Sequence, residues 1–166
     1  GTANGRILLE REFLPSLDGS ILFVGVNYYT DFYCRLVKDP DNFHTLDVDE
    51  GVIQDGSPYG HFVCNVADFE LHAEQPLYDN VVFFGVLGHA DSPWEISVED
   101  AEIKRCIEKV AQLVRPGGTL LLGPATQTRS KAYWDEIFRS NLLQNYDLLT
   151  LKQIDINYIW HGKRQH

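Results

Sequence analysis

The chain has 166 residues, 44% of them apolar, and a formal net charge of −10. That length suffices for one domain with a sizeable core. The acidic balance argues against a phosphate backbone as the main partner, because nucleic-acid binding rests on clustered Lys and Arg, and Lys163-Arg164 is the only short basic cluster near an end. No apolar run approaches the ~20 residues that cross a bilayer, and Gly1 to Arg6 is polar with no long apolar core behind it, unlike a secretory leader. Cys34, Cys64 and Cys106 are odd in number and set in apolar surroundings, which reads as buried free thiols in a reducing, cytoplasmic compartment.

In chain order, residues 6 to 17 place Ile7, Leu8, Leu9, Phe13 and Leu14 at near-helical spacing and stop at Pro15, an N-terminal arm or helix within residues 1–19. Asp18-Gly19 is a turn. Ile21-Leu22-Phe23-Val24 then runs into Gly25, and a continuous apolar run of this kind marks a parallel strand covered on both faces. Ligands of open α/β sheets bind outside the carboxyl ends of such strands, so Gly25 to Thr30 is the expected floor of a binding site. Phe32, Tyr33, Leu36 and Val37 suit an amphipathic helix ended by Asp39-Pro40.

Phe43 to Asp47 is a second strand closing on an acid, and Asp47 lies 22 positions after Gly25. An acid about 20 positions past a glycine turn can accept both vicinal hydroxyls of a ribose. A solvated turn explains the same spacing equally well. Gly51 to Gly60 reads as a loop, His61 to Val66 as a third strand running into Ala67-Asp68, and Asn80 to Leu87, introduced by Tyr78-Asp79, as the fourth. Gly88 to Trp94 is a loop long enough to overhang a pocket. Ser97-Val98-Glu99-Asp100 fits a helix cap, after which Ile103, Ile107, Val110 and Val114 keep a helical stripe to Arg115. Pro116-Gly117-Gly118 breaks it before a fifth strand, Thr119 to Gly123. Ser130 caps a helix with a face of Trp134, Ile137, Phe138 and Leu142, and Leu148 to Ile154 with Ile156 to Trp160 forms an antiparallel pair. Strands alternating with helices predict a seven-stranded, mostly parallel Rossmann-like sheet with an antiparallel C-terminal strand pair and helices on both faces, all in one domain (1–166) whose core is residues 20–166.

Four features coincide in order: the apolar strand into Gly25, Asp47 at the end of strand two, Tyr78-Asp79 and Val86-Leu87-Gly88-His89 around strand four, and Leu113 to Gly118 before strand five. Together they resemble a class I S-adenosylmethionine-dependent methyltransferase, over roughly residues 20 to 160. The last two are similar to that family's "FD.V…VLxH" and "LKPGG" signatures. The resemblance implies S-adenosylmethionine as cofactor and the following roles. Gly25, Val26 and Asn27 would approach its methionine part, and Asp47 its ribose. Asn65, Val66 and Asp68 would hold adenine, and Gly85 and Val86 would lie beside the reactive methyl. Gly25 as a mere turn glycine and Asp68 as a helix cap remain open. The family's G-x-G-x-G turn is here Gly25-Val26-Asn27-Tyr28-Tyr29, a subfamily-like departure. Asn tolerates the left-handed conformation of the second glycine, whereas Tyr29 changes how closely the chain nears a ligand.

Methyl transfer from a sulfonium needs alignment and, for some acceptors, removal of a proton. His89, on the rim after strand four, is the candidate base, with a backbone-bonded loop histidine as the plain reading. Tyr28 and Tyr29 could clamp the sulfonium through their ring faces or simply pack. The remaining histidines show no metal-ligand spacing, so no metal is expected. The G-x-S-x-G elbow and the phosphate loop ending in Gly-Lys-Ser/Thr are absent. The expected partner is a small-molecule or sugar-type acceptor, methylated at oxygen or nitrogen, with no nucleic acid and no membrane. A homodimer or partner domain could complete the acceptor site. Two alternatives are a non-catalytic methyltransferase-like module that binds a nucleoside or another protein, and a nicotinamide-dependent oxidoreductase, which calls for G-x-G-x-x-G after strand one.

Overall fold

The apolar run Ile21–Val24 forms β1, buried along its whole length. It lies between β2 (Phe43–Asp47) and β4 (Tyr78–Phe84) and is parallel to both, Ile21 pairing with Phe43 on one side and with Asn80 on the other. In this computed structural model, which describes residues 2–26, 30–48, 60–71, 74–90 and 99–166, seven strands form one sheet in the order β3-β2-β1-β4-β5-β7-β6. β3 (His61–Val63) extends the parallel sheet beyond β2, and β5 (Val114–Gly123) extends it beyond β4. β7 (Asn157–Arg164) is antiparallel to β5 and to the edge strand β6 (Tyr146–Ile154). This is the mostly parallel sheet with an antiparallel C-terminal pair that the sequence predicts.

Side chains alternate across the sheet with the period of two that extended chain imposes. Leu22, Val24, Val81, Phe83, Leu120 and Leu122 meet Ile103, Ile107 and Val110 of the helix Asp100–Gln112 and Trp134 and Ile137 of the helix Lys131–Phe138. Ile21, Phe23, Val82, Phe84, Leu121 and Ile159 form the other core with Leu9, Phe13, Leu14, Tyr33 and Val37. Burying each of these large side chains stabilises the fold by about 1.5–3 kcal/mol, so helices cover both faces for a physical reason. The N-terminal cover is α1 (Thr2–Leu8), a π-helical turn (Leu9–Phe13) and a 3-10 turn (Leu14–Ser16) that accepts Pro15 near its start.

Local chemistry shifts several boundaries from those the sequence suggests. β3 stops at Val63 because the Asn65 side chain accepts a hydrogen bond from Ala67 N (2.9 Å) and starts the 3-10 turn Val66–Asp68. β4 ends at Phe84, since Gly85 adopts φ +76° and turns the chain before Val86 and Leu87. The helix after β1 covers only Thr30–Cys34 and does not reach Val37, as expected for a segment rich in aromatic and β-branched residues. The helical stripe ends at Gln112, not Arg115: Val114 pairs with Tyr78 in β5, and Pro116 to Gly118 are absorbed by a register shift between Tyr78 and Asn80. Ser97 lies outside the described residues, and the N-cap of Asp100–Gln112 is Glu99, with Asp100 and Glu102 at the positive helix end.

The amino edge of the sheet is fastened by one carboxylate. Asp79 accepts hydrogen bonds from Ser20 N (2.8 Å) and Ser20 Oγ (3.2 Å) and pairs with Arg115, tying the starts of β1, β4 and β5. Burial pushes the Asp79 pKa upward, but the bonds from Arg115 and Ser20 outweigh it and hold the carboxyl below its usual range.

Candidate cofactor and acceptor site

From β1 the sheet grows one way through β2 and β3 and the other way through β4 and β5, so the order reverses between β1 and β4. The crevice outside the carboxyl ends of these two strands is where open α/β sheets bind ligands. A glycine with positive φ stands on each side of it: Gly25 (φ +77°) after β1 and Gly85 (φ +76°) after β4. Gly25 N donates to Leu46 O (2.8 Å) and Gly85 N donates to Gly123 O (2.9 Å), so both turns stay tied to neighbouring strands. The two glycines differ in what surrounds them. A Cβ on Gly25 would overlap Val86 Cγ2, whereas a Cβ on Gly85 would meet no described residue within 4 Å. Gly25 therefore permits a close approach of two turns, and Gly85 borders space that no described residue fills.

Asp47 ends β2, half-buried, and its carbonyl accepts a hydrogen bond from Cys64 N (3.1 Å). Its charge reaches His61, whose pKa burial lowers and Asp47 partly restores. Thr45 Oγ1 and His61 Nδ1 are 2.5 Å apart, which ties β2 to β3 just below the carboxylate. Val26 is buried among Leu9, Phe23 and Tyr33, so its side chain belongs to the core and its backbone is what can face a ligand. Asn27 and Tyr28 lie outside the described residues, as does Tyr29.

Around the expected adenine position the side chains already have partners. Asn65 Oδ1 accepts from Ala67 N, and Asn65 Nδ2 donates to Glu102 Oε1 (3.1 Å). Val66 is buried in the main core. Asp68, exposed, pairs with Arg105 (3.3 Å). The Cys64 thiol beside this turn is pushed up by burial and then by the Asp68 charge, which keeps it protonated. A nucleobase bound here would compete with Ala67 and Glu102 for Asn65 and with Arg105 for Asp68.

The loop carrying His89 is joined to the segment after β5. Ala125 N donates to Leu87 O (2.7 Å), Thr128 N to Gly88 O (3.1 Å) and Ala90 N to Gln127 Oε1 (2.8 Å). A Cβ on Gly88, at φ +79°, would overlap Ala125 O, and Trp134 Nε1 donates to the same carbonyl (3.1 Å). The half-buried His89 thus sits on a doubly anchored rim. Gln127 and Gly123 hold the two turns after β4; both fall in the 123–130 stretch that the sequence offers for substrate selection, with no individual role read for either. Among the described residues no group of three or more His, Cys, Asp or Glu is placed to hold a metal ion.

This strand order, with a crevice at the β1/β4 switch point, is the fold of the class I S-adenosylmethionine-dependent methyltransferases. The N-methyltransferase NodS from Bradyrhizobium japonicum WM9 superposes with a TM-score of 0.69 at 15% identity, over 99% of this chain and 96% of that one. The 1,6-didemethyltoxoflavin-N1-methyltransferase from Burkholderia thailandensis, solved with 1,6-didemethyltoxoflavin and S-adenosylhomocysteine, gives 0.63 at 10% identity over 99% and 84%. A putative rRNA-methylase from Clostridium thermocellum gives 0.67 at 10% identity over 92% and 94%. No protein-family model matches the sequence, and no curated protein matches it. At these identities the likeness is one of fold.

The described residues fit an adenosyl cofactor on two counts. The space beside Gly85 that no described residue fills lies at the switch point, and a carboxylate ends the adjacent strand at Asp47.

Proposed function

We propose that this chain transfers a methyl group from S-adenosylmethionine to a small-molecule or sugar-type acceptor at oxygen or nitrogen. The observation that carries the reading is the pair of positive-φ glycines across the switch point, one crowded and one open, with Asp47 at the end of the next strand. Asp47 would accept the ribose hydroxyls, which a carboxylate with two oxygens can do together. The backbones of Gly25 and Val26, with Asn27 and Tyr28 beyond, would line the methionyl part, and Gly85 and Val86 the region of the methyl group. The 65–68 turn would border adenine. The cofactor supplies an electrophilic methyl on a positively charged sulfur, so the protein's task is to align the acceptor and exclude water. His89, fixed on its anchored rim, would accept the acceptor's proton where one must be lost. A small acceptor suits the net charge of −10 better than RNA does. We place the protein in the cytoplasm, with a homodimer or a partner domain completing the acceptor site. Among the described residues no helix is long and apolar enough to cross a membrane.

Calorimetric titration with S-adenosylhomocysteine and with NAD tests the reading. Binding of the first and not the second is expected, with Asp47→Ala weakening it by ~1–3 kcal/mol through loss of a charge-assisted hydrogen bond. Unchanged affinity in a folded Asp47→Ala variant would remove the ribose assignment. The Asn27-Tyr28-Tyr29 sequence in place of glycines favours the second reading, a methyltransferase-like binding module without activity. Binding of neither nucleotide would select it.

A further inference from the structure

The N-terminal helical run lies along β7 and covers buried polar atoms of two side chains that have no hydrogen-bond partner. Asn157, the first residue of β7, is fully buried, and both its Oδ1 and its Nδ2 are unpaired; among the described residues it alone has both polar side-chain atoms in that state. Four residues on, and so on the same face of the strand, His161 Nε2 is buried without a partner against the Phe13 ring (centroids 5.3 Å apart). A Cβ on Gly5 of α1 would overlap Asn157 Oδ1, so the glycine lets α1 sit directly on the amide. Asn157 also stands at the carboxyl edge of the sheet. It bridges Ala125, the residue whose N–H bonds to Leu87 O on the rim of the crevice.

A buried amide with no protein partner for either atom is disfavoured unless a water or a ligand pairs it. The cover is unevenly attached. Residues 2–8 form a short helix, marginal by itself, held at its exposed side by Asn4 Nδ2 donating to Asp155 Oδ2 (2.6 Å). The firm attachment starts one turn later, where Leu9 and Leu14 are fully buried. The anchor opens with the π-helical turn Leu9–Phe13, a geometry that occurs mostly as single turns and frequently at functional sites.

We propose that Asn157 is the polar reader of the acceptor pocket and that residues 2–8 are its removable cover. As an acceptor site the proposal rests on the methyl-transfer reading above. A primary amide offers one donor and one acceptor side by side. The complementary ligand edge is a lactam, an amide or an N-heterocycle with adjacent N–H and C=O groups.

The test uses 2-pyrrolidinone, uracil and hypoxanthine as probes, titrated by ligand-observed NMR with and without S-adenosylhomocysteine. At least one should bind the full chain, and Asn157→Leu, which keeps the shape and removes both polar atoms, should weaken it at least tenfold. Asn157→Ala provides a second variant should the leucine disturb the fold. Amide hydrogen exchange over residues 2–8 should be faster than over 9–14, and faster still in Gly5→Ala. Binding by none of the probes, equal binding by the variants, or equal exchange across residues 2–14 would overturn the proposal. Failure of S-adenosylhomocysteine to bind while a probe still binds through Asn157 would count against methyl transfer alone.

Discussion

Gly25 and Gly85 share almost the same backbone conformation, φ +77° and +76°, yet only one of them is crowded. Alanine at either position pays the left-handed penalty of about 1–2 kcal/mol. At Gly85 no described residue lies within 4 Å of the new methyl, so the cost should stop there. At Gly25 the methyl overlaps Val86 Cγ2, and relieving that contact adds about 1–3 kcal/mol as overpacking. Gly25→Ala should therefore destabilise by roughly 2–5 kcal/mol and Gly85→Ala by about 1–2. Adding Val86→Ala should bring the first close to the second, because it removes the clashing methyl. In urea, with a slope near ~2 kcal/mol/M, a gap of about 2 kcal/mol appears as a midpoint difference of about 1 M. Equal midpoints for the two single variants, or no relief from Val86→Ala, would refute the packing argument. The ligand arm runs the other way: Gly85→Ala places a methyl in the open space assigned to the cofactor and should weaken S-adenosylhomocysteine at least tenfold, about 1.4 kcal/mol. An affinity equal to wild type would show that the space beside Gly85 is not used.

Three further outcomes are expected. Asp79→Asn should cost about 1–3 kcal/mol near pH 7 by weakening the bonds from Arg115 and Ser20. The Asp79 carboxyl is held below its ordinary value, so its contribution is present above pH ~4 and is lost as pH falls through the folded value; the gap between wild type and variant in urea should close over that range. Burial lowers the pKa of His161, so the neutral form is favoured in the fold. The stability this gives is present above pH ~6.5 and lost as pH falls below it. Urea midpoints should drop between pH 7 and pH 5, less so in His161→Phe. Trp134→Phe removes the indole bond to Ala125 O and should cost about 1–3 kcal/mol, with faster amide exchange at Ala125 and Ala90 as the sign that the rim has loosened.

The sheet was legible where one residue type decided the outcome. Ile21–Val24 and Phe43–Asp47 were bounded correctly because an uninterrupted apolar run meets a glycine in one case and an acid in the other. The antiparallel C-terminal pair followed from two apolar segments too close together for a crossover. The boundaries that moved are those decided by partners distant in sequence. β5 takes in Pro116 to Gly118 because β4 offers it a ladder from Tyr78 onward, and β3 ends where Asn65 turns its own side chain back on Ala67. The same division holds at the site. The strand ends at Gly25 and Asp47 follow from the apolar runs before them, and the cofactor roles proposed for these two and for Gly85 come from the resemblance. Asn157 was not legible, since its burial is made by Gly5 from the opposite end of the chain, and one asparagine opening a strand has no pattern to announce it.

The two edges of this sheet are built by opposite rules. At the amino edge Asp79 has its bonds from Ser20 and Arg115, and the polar groups there hold strands together. At the carboxyl edge Gly25 and Gly85 stand on either side of the crevice, and an amide lies buried with both of its polar atoms unpaired. The unpaired amide costs stability, and natural sequences keep such costs chiefly where a ligand or a motion uses them. The space beside Gly85, which no described side chain fills, is where the proposed cofactor would enter. The unpaired amide, one bridge away from the anchored rim, is where the proposed acceptor would follow. Bringing a donor group and an acceptor together at one edge of a sheet is the geometry that a group transfer requires.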